Sequence, residues 1–184
     1  MKKVFVILMI LTLGINMFAQ DKPNVASEKN VLKVNTLALI LTTGSVFYER
    51  KLSDFTSAQM GVGFFDYKIS DWKFTGLFLT PEVKFYVTKN AIDGFYISPY
   101  LRYMNLSAKI ENETDNAKAT VSLFGGGVAF GRQWILSKGF VMDLFFGGHY
   151  TGSQIKLSSG TSEPDVNKLT GFRIRVGFNI GFAF

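Results

Sequence analysis

The sequence predicts an all-β fold, an eight-stranded antiparallel up-and-down transmembrane β-barrel. Three observations predict it. The last segment of the chain alternates strictly between apolar and polar residues, and seven weaker alternating segments precede it. Hydrophobic residues make up 47% of the chain, yet no stretch after the N-terminus is long enough to form a membrane-spanning helix. The aromatic content of 15%, with 19 Phe, and the 18 Gly are typical of tightly packed β-structure.

Composition also narrows the classes of function. The chain has no Cys, so it has neither disulfides nor thiolate metal ligands, and its single His excludes a multi-histidine metal site. We therefore expect no cofactor. The formal net charge is +6, but the basic residues are scattered along the chain and two of them lie at its very start. Proteins that bind nucleic acid usually gather such charge on one face, so we expect no nucleic-acid partner.

The N-terminus has the pattern of a secretory signal peptide. Lys2 and Lys3 form a basic region, residues 4–13 are apolar, and Ala19 precedes a polar stretch that begins at Gln20. An uncleaved anchor is the alternative, but the apolar run is short of the about 20 residues that a membrane helix needs. We divide the chain into a signal peptide (1–19), a polar periplasmic lead-in (20–29) and an outer-membrane barrel (30–184).

The clearest strand is the last segment, residues 171–184. One face carries large apolar side chains, namely Phe172, Ile174, Val176, Phe178, Ile180, Phe182 and Phe184. The other face carries small or polar ones, namely Arg173, Arg175, Gly177, Asn179, Gly181 and Ala183. The segment exceeds the usual globular strand of about 5–6 residues and suits a membrane strand, which needs about 9–11. We expect the apolar face to contact lipid and the polar face to line the lumen.

Seven further segments complete the predicted barrel. They are residues 31–42, 45–52, 58–68, 73–87, 95–107, 120–136 and 140–157. An even number of strands returns both ends of the chain to one side of the membrane, and closure leaves no unpaired edge in lipid. Two features fit poorly. The first segment contains an unbroken apolar run at 37–41, and Pro81 and Pro99 each remove a ladder donor inside a strand.

The predicted connections alternate in length. Compact turns at 53–56, 89–94 and 137–139 are assigned to the periplasmic side. Longer polar loops at 111–118 and 158–167 are assigned to the outside, where they would present a surface to an extracellular partner that the sequence does not identify. Two outer connections are predicted to be short, one near Gly44 and one near Ser70 and Asp71.

Charged residues on the inward face are the candidate functional residues. They are Glu49, Glu82, Lys84, Arg102, Asp143, Arg173 and Arg175. Their mixed signs indicate internal ion pairs, because charges in so narrow an interior must pair or remain hydrated. An eight-stranded lumen is about wide enough for side chains to fill, so we interpret them as a structural network that plugs the barrel. A narrow polar conduit is the alternative.

His149 raises the possibility of an enzyme. Thr151 and Ser153 follow it with the same parity, and some small outer-membrane barrels are lipid A deacylases that use His and Ser. Parity places these three side chains in the lumen, however, and a catalytic arrangement is recognised by a geometry that sequence does not supply. We therefore expect no catalytic residues and no metal ligands.

The chain resembles small outer-membrane barrels of the OmpA/OmpX type in its signal peptide, its eight spans and its ending Gly-Phe-Asn-Ile-Gly-Phe-Ala-Phe. Its opening Asn-Val-Leu-Lys-Val-Asn at 30–35 and the later Tyr48-Glu49-Arg50 are similar to an uncharacterised domain-of-unknown-function group of such barrels. The resemblance implies the outer membrane of a Gram-negative cell, surrounded by its lipids and lipopolysaccharide. It also implies that Phe184 is read by the barrel-assembly machinery.

The sequence thus favours a non-enzymatic outer-membrane barrel with a structural or surface-interaction role. A membrane-embedded lipid-modifying enzyme, a narrow channel and a soluble ligand-binding barrel are the alternatives. The direction of the apolar face decides between the membrane and soluble forms, because a soluble barrel would bury Phe172 and Ile174 and expose Arg173 and Arg175.

Overall fold

The protein forms one closed β-barrel in a computed structural model that describes residues 28–40, 43–69, 72–88, 90–110, 118–159 and 169–184. Each strand pairs antiparallel with its neighbours in sequence, and the first strand pairs with the last. The predicted eight-stranded up-and-down barrel is therefore confirmed. The predicted signal peptide and most of the lead-in lie outside the described residues, as do the central parts of the two long polar loops.

Eight strands and two short helices make up the described chain. The strands are β1 (Asn30–Asn35), β2 (Thr43–Lys51), β3 (Thr56–Ile69), β4 (Trp72–Tyr86), β5 (Gly94–Ile110), β6 (Lys118–Ile135), β7 (Phe140–Ser159) and β8 (Gly171–Ala183). The helices are α1 (Thr36–Ile40) and a 3-10 turn (Ser137–Gly139). In the described ranges, neither helix is long and apolar enough to cross a membrane.

The first predicted strand is wrong in its second half. β1 ends at Asn35, and the apolar run that follows it forms α1. The Asn35 side-chain oxygen accepts a hydrogen bond from the Ala38 backbone N–H at 2.9 Å, which caps the helix N-terminus. The Thr36 hydroxyl donates to the Phe178 carbonyl at 2.9 Å and fixes the helix against β8. A run of residues without alternation has no polar side to turn toward the lumen, so a capped helical turn replaces the strand.

This helix interrupts the seam that closes the barrel. The β1–β8 ladder runs only from Val31, opposite Ala183, to Asn35, opposite Asn179. Residues 171–178 of β8 therefore lack a partner in β1, and α1 packs against β8 and β2 there. The predicted short connection near Gly44 is also wrong, because Gly44 belongs to β2 and the connection includes α1.

The apolar faces of the strands point away from the barrel axis. Phe172, Ile174 and Val176 are 71%, 67% and 53% exposed, whereas Arg175 is 5% exposed. This is the opposite of the arrangement in a soluble barrel, and it gives the orientation that the alternation of β8 predicts. The lumen therefore contains the buried charged side chains, together with inward apolar residues such as Phe78 and Leu106.

Pro81 and Pro99 are accommodated without a bulge. The β4–β5 ladder keeps one register from Trp72, opposite Ile110, to Tyr86, opposite Tyr96. Neither proline forms a pair in this ladder, but each pairs on its other side, Pro81 with Met60 and Pro99 with Val128. Each residue thus loses ladder bonds to one neighbour only, and the strand continues past it.

Inward aromatic rings pack against glycines on the neighbouring strands. Phe47 covers Gly61, Phe78 covers Gly63, Tyr96 covers Gly131 and Phe145 covers Gly177. A methyl group at Gly131 or Gly177 would overlap the ring that lies on it. These glycines make it possible for a narrow barrel to hold large side chains in its interior.

Candidate functional site

The half of the lumen nearest the start of β1 and the end of β8, which we call the terminal side, contains five buried polar side chains that we name the lysine network: Lys33, Glu49, Lys84, Gln133 and Asp143. Both ammonium groups contact the same three oxygen atoms. Lys33 Nζ lies 2.6 Å from Glu49 Oε2, 2.5 Å from Gln133 Oε1 and 2.9 Å from Asp143 Oδ2. Lys84 Nζ lies 3.2, 3.3 and 3.1 Å from these atoms. Two cations and two anions thus form one compact neutral cluster.

Hydroxyl and amide groups donate to the remaining carboxylate lone pairs of the lysine network. Glu49 Oε1 accepts from the hydroxyls of Ser57, at 2.5 Å, and Tyr86, at 2.7 Å. Asp143 accepts from the hydroxyl of Tyr96 at 2.7 Å and from the amide of Asn179 at 3.1 Å. Every strand of the barrel therefore contributes at least one side chain at this level.

These hydrogen bonds determine whether the buried charges of the cluster stabilise the fold. Removing an ion from water to a protein interior costs several kcal/mol, roughly, and attraction offsets this only when geometry is good and further hydrogen bonds are made. Lys33, Glu49 and Lys84 are all 0% exposed, and each has at least two charged or polar partners. The lysine network meets this condition and, together with the hydroxyl and amide groups that donate to it, links all eight strands.

An apolar layer closes the lumen on the terminal side of the lysine network. It consists of Val31, Ile92, Ile135, Val141 and Ala183, all buried. Ile92 belongs to the connection between β4 and β5 and has a φ of 73°, which is rare for a β-branched residue. The Gln133 amide donates to its carbonyl at 2.8 Å and holds it in place. Side chains therefore fill the lumen at this end.

One ion pair lies midway along the barrel. Arg175 Nη1 contacts Glu82 Oε2 at 3.0 Å, and Glu82 also accepts from Ser98 at 2.6 Å. The Arg175 guanidinium stacks on the rings of Tyr100 and Phe145, at 4.3 and 4.6 Å from their centroids. This cation is fully compensated by a carboxylate and two aromatic faces.

The opposite half of the lumen, nearest the end of β1 and the start of β8, contains a cavity of about 370 Å³ that we name the arginine cavity. Its polar lining includes Arg102, His149, Arg173 and Arg175. Its apolar lining includes Leu37, Phe47, Phe78, Met104, Phe145 and Leu169. Arg102 donates to the Thr80 hydroxyl at 3.2 Å and lies over the Phe78 ring at 4.9 Å. Within the described ranges, no carboxylate forms a salt bridge with Arg102.

His149 lies at the wall of this cavity. Its Nδ1 is 3.0 Å from the Tyr100 hydroxyl, and the two rings meet edge to face. Thr151 is buried, whereas Ser153 is exposed, so the shared parity of these residues does not give them a shared environment. In the part of the chain that the structure describes, no three His, Asp or Glu side chains are arranged to hold a metal ion.

The seven inward charges that the sequence predicts fall into three groups. Glu49, Lys84 and Asp143 belong to the lysine network, Glu82 pairs with Arg175, and Arg102 and Arg173 line the arginine cavity. Sequence reasoning missed Lys33 and Gln133. The alternation of Val31, Lys33 and Asn35 against Leu32 and Val34 was the signal for Lys33, but the apolar run that follows obscured it. Gln133 is uncharged, and nothing in its local sequence marks it.

Comparison with known sequences places the chain in a family. Residues 4–163 match the family described as "Protein of unknown function (DUF3575)". The chain belongs to this family. The predicted similarity to an uncharacterised domain-of-unknown-function group thus agrees with the match, whereas the closer likeness to OmpA/OmpX-type barrels stays a prediction. The matched region of this DUF3575 chain ends before β8. No curated protein sequence matches the chain.

A solved structure supports the architecture of this DUF3575 protein. The barrel is similar to the crystal structure of a major outer membrane protein from Thermus thermophilus, with a TM-score of 0.51. The two chains share 13% sequence identity, and the alignment covers 84% of this chain and 99% of the other. At 13% sequence identity, the similarity supports the fold alone.

Proposed function

We propose that this DUF3575 protein is a non-enzymatic β-barrel of the Gram-negative outer membrane with a structural or surface-interaction role. The main support for this proposal is the apolar exterior of the barrel. Large apolar side chains are exposed on every strand, among them Leu32, Val46, Met60, Leu77, Leu101, Phe130, Phe146 and Ile174. Soluble monomers rarely expose a contiguous apolar patch of more than a few hundred Å², so a band that surrounds the barrel favours a lipid environment.

Aromatic side chains at both rims support this placement. Phe182 and Phe184 are 58% and 59% exposed near the chain termini, and Tyr150 and Phe172 are exposed toward the other end. Arg132, on the outer face near the terminal rim, lies 4.5 Å from the ring centroid of Phe95 and 5.2 Å from that of Trp134. Aromatic girdles with snorkelling cations are typical of the boundary between hydrocarbon and water.

The lysine network supports a role that does not involve conduction. Lys33, Lys84 and Asp143 meet across the lumen and are fully buried, with the Ile92 layer adjoining them. An ion path through this level would have to break several charge-assisted hydrogen bonds at once. The barrel is therefore proposed as a rigid platform, whose loops at 111–118 and 158–167 present any surface for an extracellular partner.

The remaining parts of the proposal follow from the sequence. Residues 1–19 would direct export, and Phe184 would be the terminal residue that the barrel-assembly machinery reads. The backbone at Phe184 supports its importance for closure, since its N–H donates to the Asn30 carbonyl at 2.8 Å and its carbonyl accepts from Asn30 at 2.9 Å. The assembled barrel would contact outer-membrane lipids and lipopolysaccharide.

Cell fractionation tests the location. We expect the protein in the outer-membrane fraction, resistant to extraction without detergent, and migrating faster on a gel before heating than after it. Recovery in the soluble periplasmic fraction would overturn the membrane assignment.

Two further measurements test the alternatives. Planar-bilayer recordings should give no current steps above baseline, because the lysine network fills the lumen; steps would favour the channel. Mass spectrometry of lipid A, with and without expression of the protein, should give identical acyl patterns; loss of an acyl chain would favour the lipid-modifying enzyme.

A further inference from the structure

We propose that the arginine cavity is a binding site for a long-chain carboxylate, with the carboxylate on Arg102 and the alkyl chain against Phe78 and Met104. This goes beyond a structural platform, because it assigns a ligand to the cavity that the described side chains enclose. The binding chemistry depends only on the cavity, and the entry of the ligand from lipid rests on the proposed membrane location.

Charge indicates an anionic ligand. Three arginines line the cavity, and no Asp or Glu is among the lining residues that the structure describes. Arg175 is paired with Glu82, whereas Arg102 donates to a neutral hydroxyl, lies over an aromatic ring and forms no salt bridge with any carboxylate that the structure describes. A half-buried guanidinium in a narrow lumen is stabilised by a counter-anion, and a carboxylate matches its two parallel N–H donors.

The remaining walls indicate that the anion carries an alkyl chain. Phe47, Phe78, Met104 and Leu169 line the same cavity, and Phe78 and Met104 continue into a buried apolar cluster on β4, β5 and β6. A small hydrophilic anion would leave these surfaces against water. A cavity of about 370 Å³ falls within the range of small-molecule sites. The combination of cationic and apolar walls therefore fits an amphiphile.

The interrupted seam places the cavity beside the outer face of the barrel. Residues 171–178 of β8 have no β1 partner, and the cavity lining includes Leu37 and Ala38 of α1 together with Ile174 and Val176 of β8. The side chains of Ile174 and Val176 belong to the exposed apolar face. An alkyl chain that leaves the cavity between α1 and β8 would therefore pass from one apolar environment to another.

Photolabelling tests the proposal. The full-length protein, folded in phosphatidylcholine nanodiscs, is irradiated with a long-chain carboxylate that carries a diazirine in its alkyl chain, and labelled residues are mapped by mass spectrometry. We expect label on the inward Phe78 or Met104, because parity separates them from lipid. Label on the outward Leu77 and Leu79 reports ordinary contact with the bilayer and serves as an internal reference.

Variants and competing ligands test whether Arg102 binds the carboxylate and whether the ligand needs both a carboxylate and an alkyl chain. In Arg102→Gln, inward labelling should fall by at least about tenfold relative to the outward reference, since the charge-assisted hydrogen bonds to the carboxylate are lost. The matched control Arg50→Gln removes an exposed outer arginine and should label like the wild type. Excess unlabelled carboxylate should abolish inward labelling, whereas acetate and an alkyltrimethylammonium of equal chain length should not.

Several results would overturn the proposal. They are unchanged inward labelling in Arg102→Gln, equal competition by the ammonium compound, equal competition by acetate, and label confined to Leu77 and Leu79. If Arg102→Gln loses the gel shift of the folded barrel, Arg102→Lys replaces it and should give intermediate labelling, because lysine retains the charge but not the paired donors. Fractionation judges the membrane location separately, so the two proposals can fail independently.

Discussion

The two halves of the lumen manage buried charge in different ways. In the lysine network, two ammonium groups and two carboxylates share acceptors, and hydroxyl and amide donors complete the cluster. In the arginine cavity, Arg102 has no carboxylate partner among the described residues and borders open space. Both halves are built from inward positions of the same strands, so the difference comes from which residues occupy those positions.

The lysine network contributes to the stability of the barrel, whereas the arginine cavity is suited to binding a ligand. A satisfied cluster such as the lysine network has no capacity left for a ligand, and it pins the strands that supply it. A cavity whose cation forms no salt bridge with a described carboxylate contributes little to folding but favours an anion. We therefore expect substitutions in the lysine network to change stability, and substitutions in the arginine cavity to change binding.

The largest effect is expected for Asp143→Ala. This change leaves Lys33 and Lys84 with one carboxylate between them, and breaking a buried pair in this way costs about 3–5 kcal/mol. Urea titration of the protein folded in phosphatidylcholine vesicles would measure the free energy of unfolding. The matched control is Asp54→Ala, which breaks an exposed pair with Lys51 and should cost less than about 1 kcal/mol. Equal losses would show that the lysine network is not stabilising.

A double variant sharpens this result. Lys84→Met combined with Asp143→Asn removes one charge of each sign and leaves Lys33 paired with Glu49 at 2.6 Å. The double variant should be more stable than the sum of the two single losses predicts, by up to about 3 kcal/mol, because the residues share one network. The same urea titration would measure the free energy of unfolding of the wild type, of each single variant and of the double variant. Strict additivity would contradict the shared-acceptor geometry.

A methyl group at Gly131 tests how rigidly the lysine network is held. Gly131→Ala places a Cβ against the Tyr96 ring, which cannot move freely because its hydroxyl donates to Asp143 at 2.7 Å. We expect a loss of about 1–3 kcal/mol from overpacking, again by urea titration. Gly44→Ala is the matched control, since nothing lies within 4 Å of its Cβ position. Gly177→Ala, which meets Phe145 beside the arginine cavity, should fall between them.

The smallest effect on stability is expected for Arg102→Met. The substitution removes a cation that has no carboxylate partner in the described residues, and it retains much of the apolar side chain. The free energy of unfolding should change by less than about 1 kcal/mol, in contrast to Asp143→Ala. A loss as large as that of Asp143→Ala would show that Arg102 has a structural partner, and the contrast between the two halves of the lumen would fail.

Local sequence patterns predict those features of the protein that depend on the geometry of a single strand. Successive side chains of a strand point to opposite faces, so the alternation of residues 171–184 is enough to predict β8 and the side that Arg175 occupies. The seven inward charges were predicted in the same way. In contrast, the apolar run after Asn35 has no period to read, and the choice of a helix there depends on a cap and on the contact with Phe178.

The sequence by itself therefore determined the number of strands, their direction and, where the alternation is regular as in β8, the face that each residue occupies, because these follow from a period of two along one strand. Only the tertiary structure decided which inward charges meet. Lys33 and Asp143 are 110 positions apart in the chain, and only closure of the barrel brings them to 2.9 Å. The same closure leaves Arg102 beside a cavity, since the level at which side chains converge across a barrel is set by strand register and not by any local pattern.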